Sequence, residues 1–188
     1  EKTRTFITEL LQILGWNFKS NDVSQEEKIS KGYVDYGFRL NDVPVMFVEA
    51  KRTSANLQDE KFVNQTIDYA WHKATAWAVL TNFNRIRVFN SYIKESIRAS
   101  QLNDLEINQF LSEFDQLWLL CRWSFESREI DKYAEKLGKM AKEKPVEKQL
   151  FEDLNKQYAF EFDCCADIHN NKCESFSDDF EKWDQVLR

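Results

Sequence analysis

Residues 31–51, KGYVDYGFRLNDVPVMFVEAK, decide how the rest of the chain is read. Two β-prone runs, Tyr33–Leu40 and Val43–Ala50, flank Asn41-Asp42, a pair suited to a tight turn, so the stretch predicts a hairpin. Each run carries an acid where a buried strand should have none: Asp35 lies between Val34 and Tyr36, and Glu49 follows Val45-Met46-Phe47-Val48. An isolated carboxylate in such surroundings is costly to desolvate. Side chains alternate faces along a strand, so Glu49 and Lys51 point one way and Ala50 the other. Reflection about the turn at 41/42 puts Asp35 opposite about position 48. Asp35, Glu49 and Lys51 are therefore expected to meet in one small volume. There the two acids would hold a divalent cation such as Mg2+, while the ammonium orients or activates a water and offsets phosphate charge.

Working outward, Thr3–Leu14 predicts an amphipathic helix, with Ile7, Leu10, Leu11 and Leu14 on one face and Gly15 as its stop. Ser20–Lys31 is polar and reads as a loop or the lead into the first strand. On the other side of the hairpin, Gln58–Lys73 predicts a helix whose Phe62, Gln65, Tyr69 and His72 share a face. Ala76–Thr81 and Arg85–Phe89 then read as two strands across Asn82-Phe83-Asn84. Helix, two strands, helix, two strands describes an α/β domain over residues 1–98, a mixed sheet flanked by helices. From about Leu102 the pattern changes to helices alone. Leu105, Phe110, Leu111, Phe114, Leu117, Trp118 and Leu120 stripe one or two segments, Ile130–Met140 another, and Pro145 opens a long one. Residues 99–188 are accordingly read as an all-helical connector subdomain.

The 188 residues are 43% hydrophobic and 14% aromatic, enough for a sizeable core. A formal net charge of −6 argues against wholesale coating of nucleic acid, yet the charge divides into +2 over residues 1–98 and −8 over the remainder. A polyanion should therefore approach the first part, where Lys28, Lys31, Arg39, Arg52, Lys61, Arg85 and Arg87 fall. No apolar run approaches the roughly 18 residues of a membrane span, and the chain begins with Glu, so it is read as a soluble intracellular piece of something longer. Cys164, Cys165, His169 and Cys173 lack the C-x2-4-C spacing from two elements that structural zinc uses, and read as buried thiols. Trp71, Trp77, Trp118 and Trp123 read as core rather than as base-stacking platforms.

Asp35, thirteen further residues, then Glu49-Ala50-Lys51 resembles the signature of the PD-(D/E)xK nuclease superfamily. Gln65-Thr66-Ile67-Asp68-Tyr69 resembles the Q-x3-Y element of members related to the bacterial recombination nuclease. Together with Glu1-Lys2-Thr3-Arg4, Leu14-Gly15-Trp16, Val34-Asp35-Tyr36, Tyr69-Ala70-Trp71 and Leu80-Thr81-Asn82-Phe83, these segments are similar to the N-terminal endonuclease region of type IIG restriction-modification enzymes. They are also similar to the N-terminal regions of type I restriction R subunits. The resemblance implies a restriction-endonuclease-like core and a cytoplasmic, prokaryotic, Mg2+-dependent deoxyribonuclease acting on double-stranded DNA, with Mn2+ able to substitute. It implies that Asp35, Glu49 and the Ala50 main-chain carbonyl hold the metal, with Glu1 as the helix acid that can complete the site. Lys51 would orient the attacking water, Gln65 would sit near the metal or phosphate, and Tyr69 would support it. Arg52, Lys31, Arg85 and Arg87 are the candidate DNA contacts. The connector would lead to methyltransferase and target-recognition domains, and S-adenosylmethionine would belong to that methyltransferase.

Other readings of the same residues stay open. Asp35 and Glu49 also fit a strand-end ion pair with Lys51 or Arg52, and Gln65 and Tyr69 fit ordinary helix packing. The fold could serve as a catalytically inactive DNA-binding relic, as the nuclease of a helicase-coupled restriction or repair system, or as an interaction scaffold.

Overall fold

The computed structural model describes residues 2–29 and 32–140. Helix α1 (Lys2–Ile13) leads into a six-stranded sheet of β1 (Val23–Ile29), β2 (Gly32–Leu40), β3 (Val43–Ala50), β4 (Trp77–Thr81), β5 (Arg85–Asn90) and β6 (Gln101–Glu106), in that spatial order. Helix α2 (Glu60–His72) carries the chain from β3 to β4, which pair in parallel, while every other neighbouring pair is antiparallel. This is the mixed α/β sheet with flanking helices that the pattern predicts. After β6 come α3's companions on the C-terminal side: α3 itself (Ile97–Ser100) precedes β6, and α4 (Phe114–Trp118), α5 (Arg122–Glu126) and α6 (Glu129–Lys136) follow it. Among the described residues no helix is long and apolar enough to cross a membrane.

Local chemistry explains these elements. At the β2–β3 tip both Asn41 (φ 50) and Asp42 (φ 65) adopt the left-handed conformation, which matches strand twist and favours Asn and Asp over other non-glycine residues. Helix α2 starts at Asp59, whose side chain accepts from the Lys61 amide at 2.9 Å, and its Val63, Ile67 and Ala70 stripe is buried. Gly15 (φ 91) ends α1, and Gly138 (φ 66) follows the end of α6.

Two apolar layers hold the sheet. On one side Ile7, Leu11 and Leu14 of α1, with Leu117, Leu120, Phe125 and Ile130, pack on Phe38, Met46, Val48, Val79 and Val88. On the other, α2 covers Phe47, Ala78, Leu80 and Phe89. Phe38, Phe47 and Phe89 are fully buried, each contributing about 2 kcal/mol by removal from water. Trp16 ties the two ends of the domain together: its ring packs edge-on against Phe38 and Phe125, and Nε1 donates to the Leu120 carbonyl at 2.9 Å.

Three expectations are corrected. Ser20–Lys31 is not simply a loop, because Val23–Ile29 forms an edge strand on β2, and an edge strand needs backbone pairing on one side only, so its polar sequence costs little. The region from Leu102 is not helical throughout. β6 pairs with β5 with Leu102 as the extra residue between the partners of Val88 and Phe89, and this bulge turns Leu102 into the same core as Leu105. A three-residue apolar spacing here is thus a bulged strand, and the division expected at residue 98 falls between two strands of one sheet. Lastly, Trp77 is buried as expected, whereas Trp118 and Trp123 are 41% and 56% exposed. The long helix expected to open at Pro145, and the Cys164, Cys165, His169 and Cys173 group, lie outside the described residues.

Candidate active site

The hairpin register makes the site. From the tip, Leu40 pairs with Val43 and Arg39 with Pro44, but Phe38 then pairs with Met46, leaving Val45 as an extra residue. Beyond that bulge Tyr36 faces Val48, so the expected position of Asp35 opposite residue 48 is off by one. The slip matters because opposed residues in an antiparallel pair share a face: Asp35 falls opposite Glu49 and on Glu49's side of the sheet. Without the bulge the two acids would point away from each other.

The end of β3 is fixed from the opposite side by β4. Glu49 pairs with Leu80 and Ala50 with Thr81, and the Lys51 amide donates to the Thr81 carbonyl at 2.7 Å, continuing the parallel ladder one residue further. Asp35 Oδ2 accepts from the Ala50 amide at 2.8 Å, which locks the carboxylate beside the β3 backbone. Lys51 Nζ donates to Glu49 Oε1 at 2.7 Å and to Gln65 Oε1 at 3.4 Å, and lies 4.7 Å from the centre of the Phe62 ring. Gln65 Nε2 donates in turn to the Tyr69 hydroxyl at 2.5 Å. Sequence reasoning thus places five residues that the structure brings together: Asp35, Glu49, Lys51, Gln65 and Tyr69. Phe62, foreseen only as a neighbour on the helix face, forms the apolar floor under the ammonium.

Burial shapes the electrostatics. Glu49 is 6% exposed, and its carboxyl is held above the usual carboxylate range by loss of water first and by the charge of Asp35, against the hydrogen bond and charge of Lys51. Among the described residues Glu49 Oε2 is buried with no well-formed hydrogen bond, the Asp35 amide being the nearest group that favours its charge. An unpaired buried acceptor costs about 1–3 kcal/mol, which a cation at that oxygen would offset. Two carboxylates and a main-chain carbonyl are hard oxygen donors of the kind Mg2+ takes alongside water, so the residues fit that ion. Among the described residues no three His, Cys, Asp or Glu side chains converge, and the third acid named from sequence, Glu1, lies outside them.

A residue that sequence reasoning passed over completes the group. Arg4 of α1 donates through Nη2 to Asp35 Oδ1 and through Nη1 to Glu26 Oε1 at 3.1 Å. Arg4 and Asp35 are separated by thirty-one positions, so no local spacing could reveal the pair.

The candidate DNA contacts fare differently from one another. Arg52 is exposed beside the site. Arg85 is held by Asp104 through Nε at 2.5 Å and Nη2 at 2.9 Å. Arg87 is 7% exposed, donates to the Leu57 carbonyl at 2.7 Å and to Gln101, and lies 3.3 Å from Asp104 Oδ2. Both guanidinium groups are engaged within the protein. Lys31 lies outside the described residues, and His72 is exposed at the end of α2.

No family model matches the chain, and no curated protein sequence matches it. Among solved structures, the chain is similar to a fragment described as an HsdR subunit of a type I restriction enzyme from Vibrio vulnificus YJ016, at 21% identity and a TM-score of 0.38 over 47% of this chain and 20% of that one. It is also similar to the type IIG restriction endonuclease BpuSI, at 15% identity and a TM-score of 0.47 over 71% of this chain and 16% of that one. The match therefore spans about a fifth or less of either protein.

Proposed function

We propose that residues 2–140 form the metal-dependent DNA endonuclease domain of a restriction-modification enzyme. The observation that carries this reading is the buried, unpartnered oxygen of Glu49 opposite Asp35, with Lys51 Nζ 2.7 Å from the other Glu49 oxygen. A bound cation would supply the partner that this oxygen lacks among the described residues, which the ion pair with Lys51 alone does not. The sequence resemblance set out above gives the arrangement its chemical class.

Asp35, Glu49 and the Ala50 carbonyl would hold Mg2+, or Mn2+ in its place. Once bound, the ion would offset charge on a phosphodiester and acidify a coordinated water. Lys51 would orient the attacking water with its remaining ammonium protons, because Glu49 and Gln65 fix the position of Nζ. Gln65, braced by Tyr69, keeps the ammonium from swinging back along α2. Attack in line would form one P–O bond and break the bond to the leaving sugar oxygen, the water's proton passing to solvent and the leaving oxygen taking one from solvent. Arg52, exposed next to Lys51, would contact backbone phosphate.

The test is nicking of supercoiled plasmid at low salt with Mg2+ or Mn2+, with an EDTA control. Lys51→Ala should slow nicking at least about 100-fold while circular dichroism stays unchanged. Nicking that persists in EDTA, or that Lys51→Ala leaves intact, would overturn the assignment.

A further inference from the structure

We propose that Arg4 is a built-in stand-in for the metal, holding Asp35 until a divalent cation displaces it. The inference rests on the reading of Asp35 and Glu49 as metal ligands and adds a residue from another element to that site.

The guanidinium sits on the outward oxygen of Asp35, the one that the Ala50 amide does not use. Asp35 thus has one oxygen fixed to the sheet and one held by a removable cation. The two partners differ sharply in exposure: the Arg4 side chain is 52% exposed and that of Asp35 12%. Departure of Arg4 therefore costs it little, because water can solvate the group it already half reaches, whereas Asp35 left alone would be a poorly hydrated anion beside Glu49. A cation is needed at that oxygen, and which cation is a matter of competition.

The fold also provides somewhere for Arg4 to go. Its second branch already touches Glu26, which lies on β1 between the residues paired with Tyr36 and Val34, next to Asp35. Glu26 has a φ of 52 inside a strand, an unusual backbone for a non-glycine residue. Its side chain is 68% exposed, so it can retain the guanidinium in water once Asp35 is taken. Movement is confined to the side chain, since α1 is anchored by buried Ile7 and Leu11 and by the contact of the Thr8 and Tyr36 hydroxyls at 3.3 Å. Exchange of one guanidinium for one divalent ion converts the site from a closed ion pair to a loaded centre. It leaves an arginine free at its edge, where a phosphate would arrive.

The experiment measures Mn2+ affinity directly, by calorimetry or by loss of the free-ion electron paramagnetic resonance signal, on the 188-residue chain. Arg4→Gln should bind Mn2+ about fivefold more tightly than the unaltered protein, because binding no longer displaces an ion pair. Arg4→Lys, which keeps the charge but not the fork, should fall between them. Asp35→Asn should weaken binding in both backgrounds, and Arg4→Gln should then have no further effect. Equal or weaker Mn2+ binding by Arg4→Gln, with Asp35→Asn still abolishing it, would overturn the exchange and leave the metal site standing. Mn2+ binding that Asp35→Asn does not weaken would overturn both.

Discussion

Among the described residues, two clusters of charged side chains in the sheet are built to opposite ends. Between β5 and β6, Arg85 and Arg87 share Asp104 through ion pairs at 2.5 and 3.3 Å, and Arg87 also reaches Leu57 and Gln101. Those partners come from within the domain, and Glu106, 3.8 Å from Arg85, brings the acids level with the cations. At the ends of β2 and β3 two acids face one another, one oxygen of Glu49 has no well-formed hydrogen bond among the described residues, and one oxygen of Asp35 is held by a half-exposed arginine from α1. The first cluster is matched charge for charge within the domain and holds β6 in place. The second is open on one side, which the proposed role in chemistry requires and a brace does not.

Substitutions should respond according to that difference. The largest stability effect belongs to the brace: Asp104→Asn leaves buried Arg87 without its counter-charge and should cost about 3 kcal/mol in urea denaturation. A loss within experimental error would mean that the arginines are solvated and free to bind phosphate. Glu49→Gln should do the reverse. Folding in the absence of metal should survive, because removal of one of two adjacent charges relieves repulsion, while Mn2+ affinity falls at least about tenfold, or about 1.4 kcal/mol. A melting temperature many degrees lower in EDTA would instead make Glu49 a structural partner of Lys51.

The smallest effect is in pH dependence. Burial and Asp35 raise the Glu49 carboxyl in the folded state, so the native protein holds that proton more tightly than the unfolded chain does. Its contribution to metal-free stability is therefore full below the ordinary glutamate value of about 4.3 and declines as pH rises through the elevated folded value. Thermal melts of the protein and of Glu49→Gln in EDTA should converge at low pH and separate above it, with the unaltered protein losing ground. Metal binding should show the opposite slope, strengthening as that proton leaves. Parallel stability curves would remove Glu49 from the list of strained groups.

Legibility in the sequence followed how local the determinants are. The β2–β3 hairpin, α2, β4 and β5 follow from patterns carried within each segment, such as the alternation around Asp35 and the stripe of Val63, Ile67 and Ala70. Strand β1 was hidden because its polar residues acquire meaning only once β2 lies beside them. β6 was hidden because the bulge at Leu102 mimics helical spacing. Within the site, the residue types of Asp35, Glu49, Lys51 and Gln65 and the shared face of Glu49 and Lys51 were legible, but the one-residue register slip that sets the face of Asp35 was not. Arg4 was missed for a different reason: helix α1 shows its apolar stripe to a reader, whereas the partner of a polar residue on its other face is decided by tertiary approach.

The extra residue at Val45 has a consequence for heredity. Because it sets which side of the sheet Asp35 occupies, the stretch between Tyr36 and Val48 is a counted distance whose parity matters more than its composition. A lineage could recolour almost every codon there and keep the acids together. Loss or gain of a single codon would part them, unless the bulge were lost or a second one gained in compensation. Tolerated length changes in this hairpin should accordingly come in pairs.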